Sequence, residues 1–427
     1  MKKEFSERTA KRIVIVGGGF AGAYCAQRLE RLLKPSEAEV VLIDRNNFFH
    51  FYPFLVEAGT GSLEPRHAVV AIRDFLHSTR FVMGTVTHAD VEGSQIHFRL
   101  PNGKQAEALS FDHLVLSPGS VTRMPPVEGL REHGFEMKSL SDAVDLRDRA
   151  IRQLEIADSL PDAGGRARAL HFVVVGANFT GVEVAGEFHR FLHQAARSYR
   201  HVQDSDIRVS IVELGPRILP ALDGDLAHYA EDRLKRRGID LHLEASVEAV
   251  FEDHARMSGG GVLETETVIW CAGIAPNPLL KELDLPLDER GYVLCDRELR
   301  VQGLQHIWAV GDSAVNPDRE GAAYPATAQH AVRQGQALAK NLARAIRGHE
   351  PLPCDIQSRG SLVALGCRTG VARIMGFKIS GFAAWFLWRT VYLLKMPGLV
   401  RKIRVALDWT MDLLFRRPAV QLGLTSK

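Results

Sequence analysis

The chain is poor in cysteine. Five residues among 427 (Cys25, Cys271, Cys295, Cys354, Cys367) lie scattered, with no C-x-x-C or C-x-x-x-x-C pair. That excludes a disulfide framework and a dithiol active site, and suits a reducing compartment. Long apolar runs are missing too: Arg389 interrupts the best candidate before ~18 uncharged residues accumulate, which disfavours a membrane-spanning helix. Only Ile13 to Val16 are continuously apolar near the basic start, too few for a signal-peptide core, so a cytosolic-facing protein is expected. The seventeen histidines are read as forming no metal centre. Most of the chain also lacks an excess of positive charge. The 52 residues from Gly376 onward carry nine Lys/Arg and two Asp, a net of +7; the preceding 375 carry 44 basic and 49 acidic residues, a net of −5. The main body is therefore no nucleic-acid binder, and the basic character belongs to the tail.

What is present is organised around Ile13-Val14-Ile15-Val16 and the turn that closes it. Four β-branched residues make a short buried strand. Gly17, Gly19 and Gly22 then occupy the G-x-G-x-x-G positions. Gly17 permits the tight turn, Gly19 admits a pyrophosphate, and Gly22 lets the next helix pack against the strand; Phe20 and Ala21 open that helix, whose N–H groups face the anion. A second strand, Val40 to Ile43, ends in Asp44, placed to accept hydrogen bonds from a ribose, with Arg45 beside it. About 160 residues later the pattern recurs. His171 to Val175 lead into Gly176, Asn178, Thr180 and Gly181, and the strand Val209 to Val212 ends in Glu213. Two such units constitute an internal repeat.

Between and after them lie other turns. An aromatic loop, Phe48 to Leu55, precedes Gly59, Thr60 and Gly61; it is either a packed crossover or a wall beside a flat ring system. Phe81 to His88 and Gln95 to Leu100 are expected as hairpin strands near Asn102-Gly103, and Leu160 to Arg168 as a linker. Strands end at Gly119, Gly273 and Gly311-Asp312, the last returning to complete the first sheet. A long helix spans Thr327 to Arg347 and includes Ala328 and Gln329.

The expected fold is α/β: two Rossmann-like dinucleotide-binding domains, the second inserted in the first, plus a C-terminal amphipathic helical membrane-surface region. The boundaries are 1–125 with 290–375 for an FAD-binding domain, 126–289 for an NADH-binding domain, and 376–427 for the membrane-anchoring region. The first site suits FAD because its glycine pattern is complete. The second suits NADH, because Glu213 would bond ribose hydroxyls and repel the extra phosphate of NADPH. In the tail, Trp385, Trp388 and Trp409 among Lys and Arg suit a helix pair lying in an anionic membrane surface, separable from the body; a homodimer through the same region is compatible with this.

On these residues the sequence resembles the two-dinucleotide-binding-domain flavoproteins, and among them the type II NADH:quinone oxidoreductases. The likeness rests on Ile13 to Gly22, the Phe-x-Pro-x-Leu loop, Leu116 to Ser120 and Thr180-Gly181-Val182-Glu183 through Glu187. It extends to Val212 through Pro220, Ala272-Gly273, Gly311-Asp312 and Pro325-x-Thr327-Ala328-Gln329-x-Ala331. It implies FAD, NADH as donor, a membrane quinone as acceptor, no proton pumping, and a peripheral place in a respiratory chain, on the cytoplasmic face of the plasma membrane in a bacterium. It also implies Asp312 at the phosphate–ribityl portion of FAD, Glu183 where the nicotinamide stacks, and Gln329 in the quinone pocket. Thr60, Gly119, Gly311, Gly273 and Ala328 join them as cofactor contacts. Two positions depart from the family pattern: Asn178 stands where the middle glycine is usual, and Arg333 where a second glutamine is usual. A sulfide:quinone oxidoreductase is disfavoured by the missing cysteines, and an FAD-binding membrane sensor with impaired NADH turnover is the alternative.

Overall fold

The computed structural model describes residues 10–103 and 106–423. The basic start of the chain and Lys427 lie outside them. In chain order the elements that position the sites begin with β1 (Lys11–Val16), α1 (Phe20–Leu32), β2 (Ala38–Asp44), α2 (Leu55–Gly59), β3 (Arg80–Met83) and β4 (His113–Leu116). Next are β5 (Gly134–Glu136), α3 (Leu140–Ser159), β6 (His171–Val175), α4 (Phe179–Ala196), β7 (Arg208–Val212), α5 (Gly224–Lys235), β8 (Ile239–His242) and β9 (Thr267–Trp270). The last are β10 (Ile307–Ala309), α6 (Ala328–Ile346), β11 (Gly360–Ala364), β12 (Gly370–Ile374), β13 (Phe377–Ser380), α7 (Gly381–Lys395) and α8 (Leu399–Leu414).

These elements form two compact units. The first comprises residues 1–49, 70–121 and 274–358, the second 50–69, 122–273 and 359–427. The chain thus leaves the first unit for the second and returns, as an inserted domain must. Residues 50–69 and 359–427 group with the second unit, because the aromatic loop and the tail are built into its core.

Each unit is centred on a five-stranded parallel sheet, in the order β10-β4-β1-β2-β3 and β5-β9-β6-β7-β8 respectively. A parallel sheet covered on both faces reads as continuous apolar runs, and Ile13, Val14 and Ile15 are fully buried, as are Phe172, Val173 and Val174. The strand before Gly311-Asp312 closes the first sheet against β4, as the sequence predicts.

Two local expectations give way. Residues 160–168 are not all linker: Asp162 accepts from the Gly165 N–H and starts a helix, Ala163–Ala169. Phe81 belongs to the parallel strand β3, and the antiparallel strands are Thr85–Asp90, Gln95–Arg99 and Ala106–Ser110, so Asn102-Gly103 lies between the second and third.

Candidate dinucleotide sites

The first unit places its glycines as the turn requires. Gly17 has φ +96°, and a Cβ there would lie 2.3 Å from the Ser117 carbonyl oxygen. A Cβ on Gly22 would lie 1.9 Å from the Gly17 carbonyl oxygen, so α1 can meet the turn only through glycine. Gly19 differs: its φ is −72°, and a Cβ would find nothing within 4 Å. No side chain caps α1, which leaves first-turn N–H donors facing open space, the arrangement an anion needs. Phe20 packs its ring on Phe49, and the Ala21 carbonyl lies where a Cβ on Gly335 of α6 would be 2.2 Å away.

Asp44 stands at the tip of β2. One carboxylate oxygen accepts from the Gly18 N–H at 2.6 Å, the other from the Asn46 N–H at 2.7 Å. Burial raises its pKa, opposed by those two bonds and by the exposed Arg45. Asp312 accepts from the Ser120 hydroxyl at 3.1 Å, and the Gly311 N–H donates to Gln334 at 2.8 Å. Gly119, at φ +71°, also faces open space. Ala328 begins α6; the Gln329 amide donates to the Ser358 hydroxyl at 3.1 Å, and Arg333 donates to the carbonyl of Gln357. The backbone thus holds the Arg333 side chain in place.

The second unit repeats the arrangement. Gly176 has φ +99°, and a Cβ on Gly181 would lie 1.8 Å from the Gly176 carbonyl oxygen. Glu213 accepts from the Ala177 N–H at 2.6 Å and from the Gly215 N–H at 2.8 Å. Thr180 is exposed in the first turn of α4, and Gly273 turns the chain after β9 at φ +91°. Asn178 has φ −73°, so its tolerance of positive φ is irrelevant. Its side chain caps α4 by accepting from the Gly181 N–H at 3.0 Å, and donates to the Cys271 carbonyl at 2.7 Å.

One turn further along α4, Glu183 accepts from the Ala364 N–H at 3.1 Å and from the indole of Trp388. Burial pushes its carboxyl up to about 8, those bonds oppose the shift, and the carboxylates of Glu57 and Glu187 add to it. A carboxyl in that range holds a proton at neutral pH and can release it.

Thr60 belongs to the second compact unit. It is fully buried, and its hydroxyl donates to the carbonyls of Val56 and Glu57. The small residues beside it admit protein: a Cβ on Gly61 would lie 3.0 Å from the Arg147 guanidinium, and one on Gly59 2.8 Å from the Met137 methyl. Phe51 and Phe54 are buried against Tyr392, Trp388 and Trp409. This part of the aromatic loop is thus packed within the second unit.

Residues 11–335 match the family described as pyridine nucleotide-disulphide oxidoreductase, and residues 359–418 match the NDH2 C-terminal domain. The type II NADH:quinone oxidoreductase Ndh of Mycobacterium tuberculosis is 30% identical over 431 residues, covering 97% of this chain and 90% of that protein. The chain belongs to the type II NADH:quinone oxidoreductases. The demethylphylloquinone reductase NdbB of a Synechocystis strain is likewise 30% identical, over 93% of this chain and 95% of its own. In fold, this type II oxidoreductase is similar to NDH2 from Plasmodium falciparum, solved in complex with NADH, with a TM-score of 0.88, 19% identity and coverage of 97% and 100%.

The C-terminal region of this type II oxidoreductase is where reading the sequence fell short. Trp385, Trp388 and Trp409 are buried, not offered to a headgroup layer. Arg389, which interrupts the apolar run, lies between the rings of Trp385 and Trp409 and bonds Glu57 at 3.1 Å. Trp409 donates to the other Glu57 oxygen at 2.7 Å. Beside them Arg417 bonds Asp412 at 2.6 Å and Glu187 at 3.3 Å, and Arg190 bonds Asp412 at 3.2 Å. Burial works against a charged Asp412, but the three arginines outweigh it and lower its pKa; for Glu57 burial wins and raises it. The tail is therefore part of the second unit's core, not a separable appendage. Amphipathic spacing gave the helices, but no local signal pairs Arg389 with a residue 332 positions away.

Proposed function

We propose that the chain oxidises NADH at its second dinucleotide unit, passes the electrons through an FAD held by its first, and delivers them in pairs to a membrane quinone without pumping protons. The observation that carries this reading is the duplicated cradle, two glycine turns each facing an acid at the tip of the second strand. FAD, when bound, supplies a hydride acceptor and a two-electron donor.

The first unit fits FAD, because the uncapped end of α1 and the open space at Gly19 and Gly119 suit a pyrophosphate. Asp44 retains lone pairs for ribose hydroxyls after accepting its two backbone N–H groups, and Asp312 would hold the ribityl side. In the second unit Glu213 would accept from the adenosine ribose and repel a 2′-phosphate, giving a preference for NADH. Glu183 would hold and release the proton that quinone reduction consumes, oriented by Ala364 and Trp388. Gln329, fixed by Ser358, would line the quinone pocket. The five cysteines are free, and Cys25, Cys271, Cys295 and Cys354 are buried, so the redox work falls to the nucleotide pair rather than to a disulfide.

No helix among the described residues is long and apolar enough to cross a membrane. The membrane reading rests instead on an exposed apolar stripe on α8, Val400, Ile403, Leu407, Met411 and Leu414, joined by Phe382, Phe386 and Leu394 of α7. The spacing repeats with the helical period, and Arg404 and Arg416 flank it, as an interfacial helix requires. This face would rest on the cytoplasmic side of a bacterial plasma membrane.

Anaerobic addition of NADH to the flavin-loaded protein tests the first half: flavin absorbance should bleach, return on adding a quinone, and respond far less to NADPH. A flavin that NADH leaves unchanged would favour the sensor reading. For the membrane half, Ile403→Glu with Leu407→Glu should abolish sedimentation with anionic liposomes and leave NADH-driven bleaching intact. A wild-type protein that stays in the supernatant as a dimer would assign the stripe to self-association instead.

A further inference from the structure

Helix α4 carries His189 and His193, one helical turn apart and so on one face. This H-x-x-x-H spacing contradicts the expectation that the histidines have no metal-ligand pattern. Their Nε2 atoms lie 3.2 Å apart, with ring centroids 4.4 Å apart. The Nδ1 of His193 lies 3.0 Å from a carboxylate oxygen of Asp204, on the turn Asp204–Asp206. That turn is fixed by the bond from the Gln203 N–H to Asp206 and by the Arg166–Asp206 ion pair. His189 is hydrogen-bonded to the backbone of Arg237 in a sense that favours a donating ring N–H.

In the neutral ring, Asp204 accepts from the Nδ1 of His193 and leaves the Nε2 lone pair available to a ligand. The backbone of Arg237 favours a donating N–H on His189, and the other nitrogen of the neutral ring is then available in the same way. In place of the proton they share, a single ion set off the line between the two nitrogens, 3.2 Å apart, can accept both.

We propose that His189 and His193 form a two-imidazole site for a divalent transition ion of the zinc class, with Asp204 as the carboxylate that orients His193. With metal–nitrogen bonds of about 2.05 Å, two nitrogens 3.2 Å apart subtend about 100° at the ion, between the octahedral and tetrahedral angles. Neutral imidazole suits zinc, copper and nickel, and a carboxylate on the far nitrogen is the usual second partner of a metal-bound histidine. Among the described residues no group of three or more His, Cys, Asp or Glu is placed to hold a metal. The remaining positions therefore belong to water, and the site is open and exchangeable. Arg237 opposes a dication here, and the carboxylate of Asp204 offsets it.

The test uses full-length, tag-free, flavin-loaded protein stripped of metal by a chelator. Zn²⁺ is titrated in competition with a chromogenic chelator, and Cu²⁺ is followed by electron paramagnetic resonance. One ion per chain is expected, with a two-nitrogen pattern for Cu²⁺. His193→Gln and His189→Gln should each abolish stoichiometric binding, while Asp204→Asn should weaken it about 10-fold; an unchanged flavin spectrum reports the fold. A wild-type protein that takes up no ion, or a stoichiometry untouched by His193→Gln, overturns the site and leaves an imidazole–imidazole hydrogen bond.

Discussion

The two dinucleotide units are near replicas whose turns differ at three residues, Gly18 against Ala177, Gly19 against Asn178 and Ala21 against Thr180. Gly17 and Gly176 share a positive φ, Gly22 and Gly181 the same close approach to a carbonyl oxygen, Asp44 and Glu213 the same pair of accepted N–H groups. At the middle glycine position the first unit leaves a helix end uncapped and the space beside it open, and the second fills that position with Asn178. Both residues have nearly the same φ, −72° and −73°, so the choice concerns space and donors, not backbone freedom. Asn178 occupies the Gly181 N–H that the corresponding turn of the first unit leaves for an anion. The units differ again in what covers them: only the second has the ionic cluster that ties in α7 and α8.

That last difference carries the largest expected effect. Arg389→Met leaves Glu57 buried without its charged partner, and breaking such a pair costs about 3–5 kcal/mol. Thermal unfolding should move down strongly, and adding Glu57→Gln should recover part of the loss. An unchanged melting temperature would mean that the cluster does not hold the second unit together. Next come Gly22→Ala and Gly181→Ala. A methyl group cannot sit 1.9 or 1.8 Å from a backbone oxygen, so the turn must move, at the upper end of the ~1–3 kcal/mol typical of overpacking. Flavin retained on purification should fall in the first variant and NADH affinity in the second. If each variant harmed both cofactors equally, the units would not act as separate cradles.

A reciprocal swap sharpens the comparison further. Asn178→Ala should cost about 1 kcal/mol through the lost cap. Asn178→Gly should cost less stability and leave NADH affinity unchanged or improved, because the Gly181 N–H is released. Gly19→Asn should weaken FAD binding, since its side chain enters the open space. A collapse of NADH binding in Asn178→Gly would show that the asparagine contacts the cofactor.

One further effect is visible only against pH. Glu183 is an acid whose folded pKa, about 8, lies above its unfolded value. Its contribution to stability is fully present below the unfolded pKa, about 4.3, and is lost as pH rises through 8. Glu183→Gln should therefore gain stability relative to wild type as the medium is taken from acid to alkaline. A difference in melting temperature that stays constant across that window would mean that the carboxyl is already ionised at neutral pH. In quinone-coupled turnover the same variant should slow reoxidation of reduced flavin while FAD remains bound.

What the sequence determined by itself was whatever repeats over short distances. A short apolar strand rich in β-branched residues, a glycine turn, a helix and a strand-end acid recur in the same order twice. Each step depends on neighbours along the chain, so the parallel sheets, the two cradles and the return strand at Gly311-Asp312 were legible. Tertiary structure decided everything that depends on which distant surface a side chain meets. The same tryptophans and arginine that suit a membrane surface in a linear reading turn inward, because Glu57 and the phenylalanines of the crossover offer a buried carboxylate and apolar rings. The phenylalanines, leucines and isoleucine of α7 and α8 take the outer face instead. Thr60 and the glycines beside it, suited in sequence to a ligand, receive the helix that carries Arg147. His189 and His193 are fixed on one face by helical spacing alone, but only the fold brings Asp204 and the backbone of Arg237 to them.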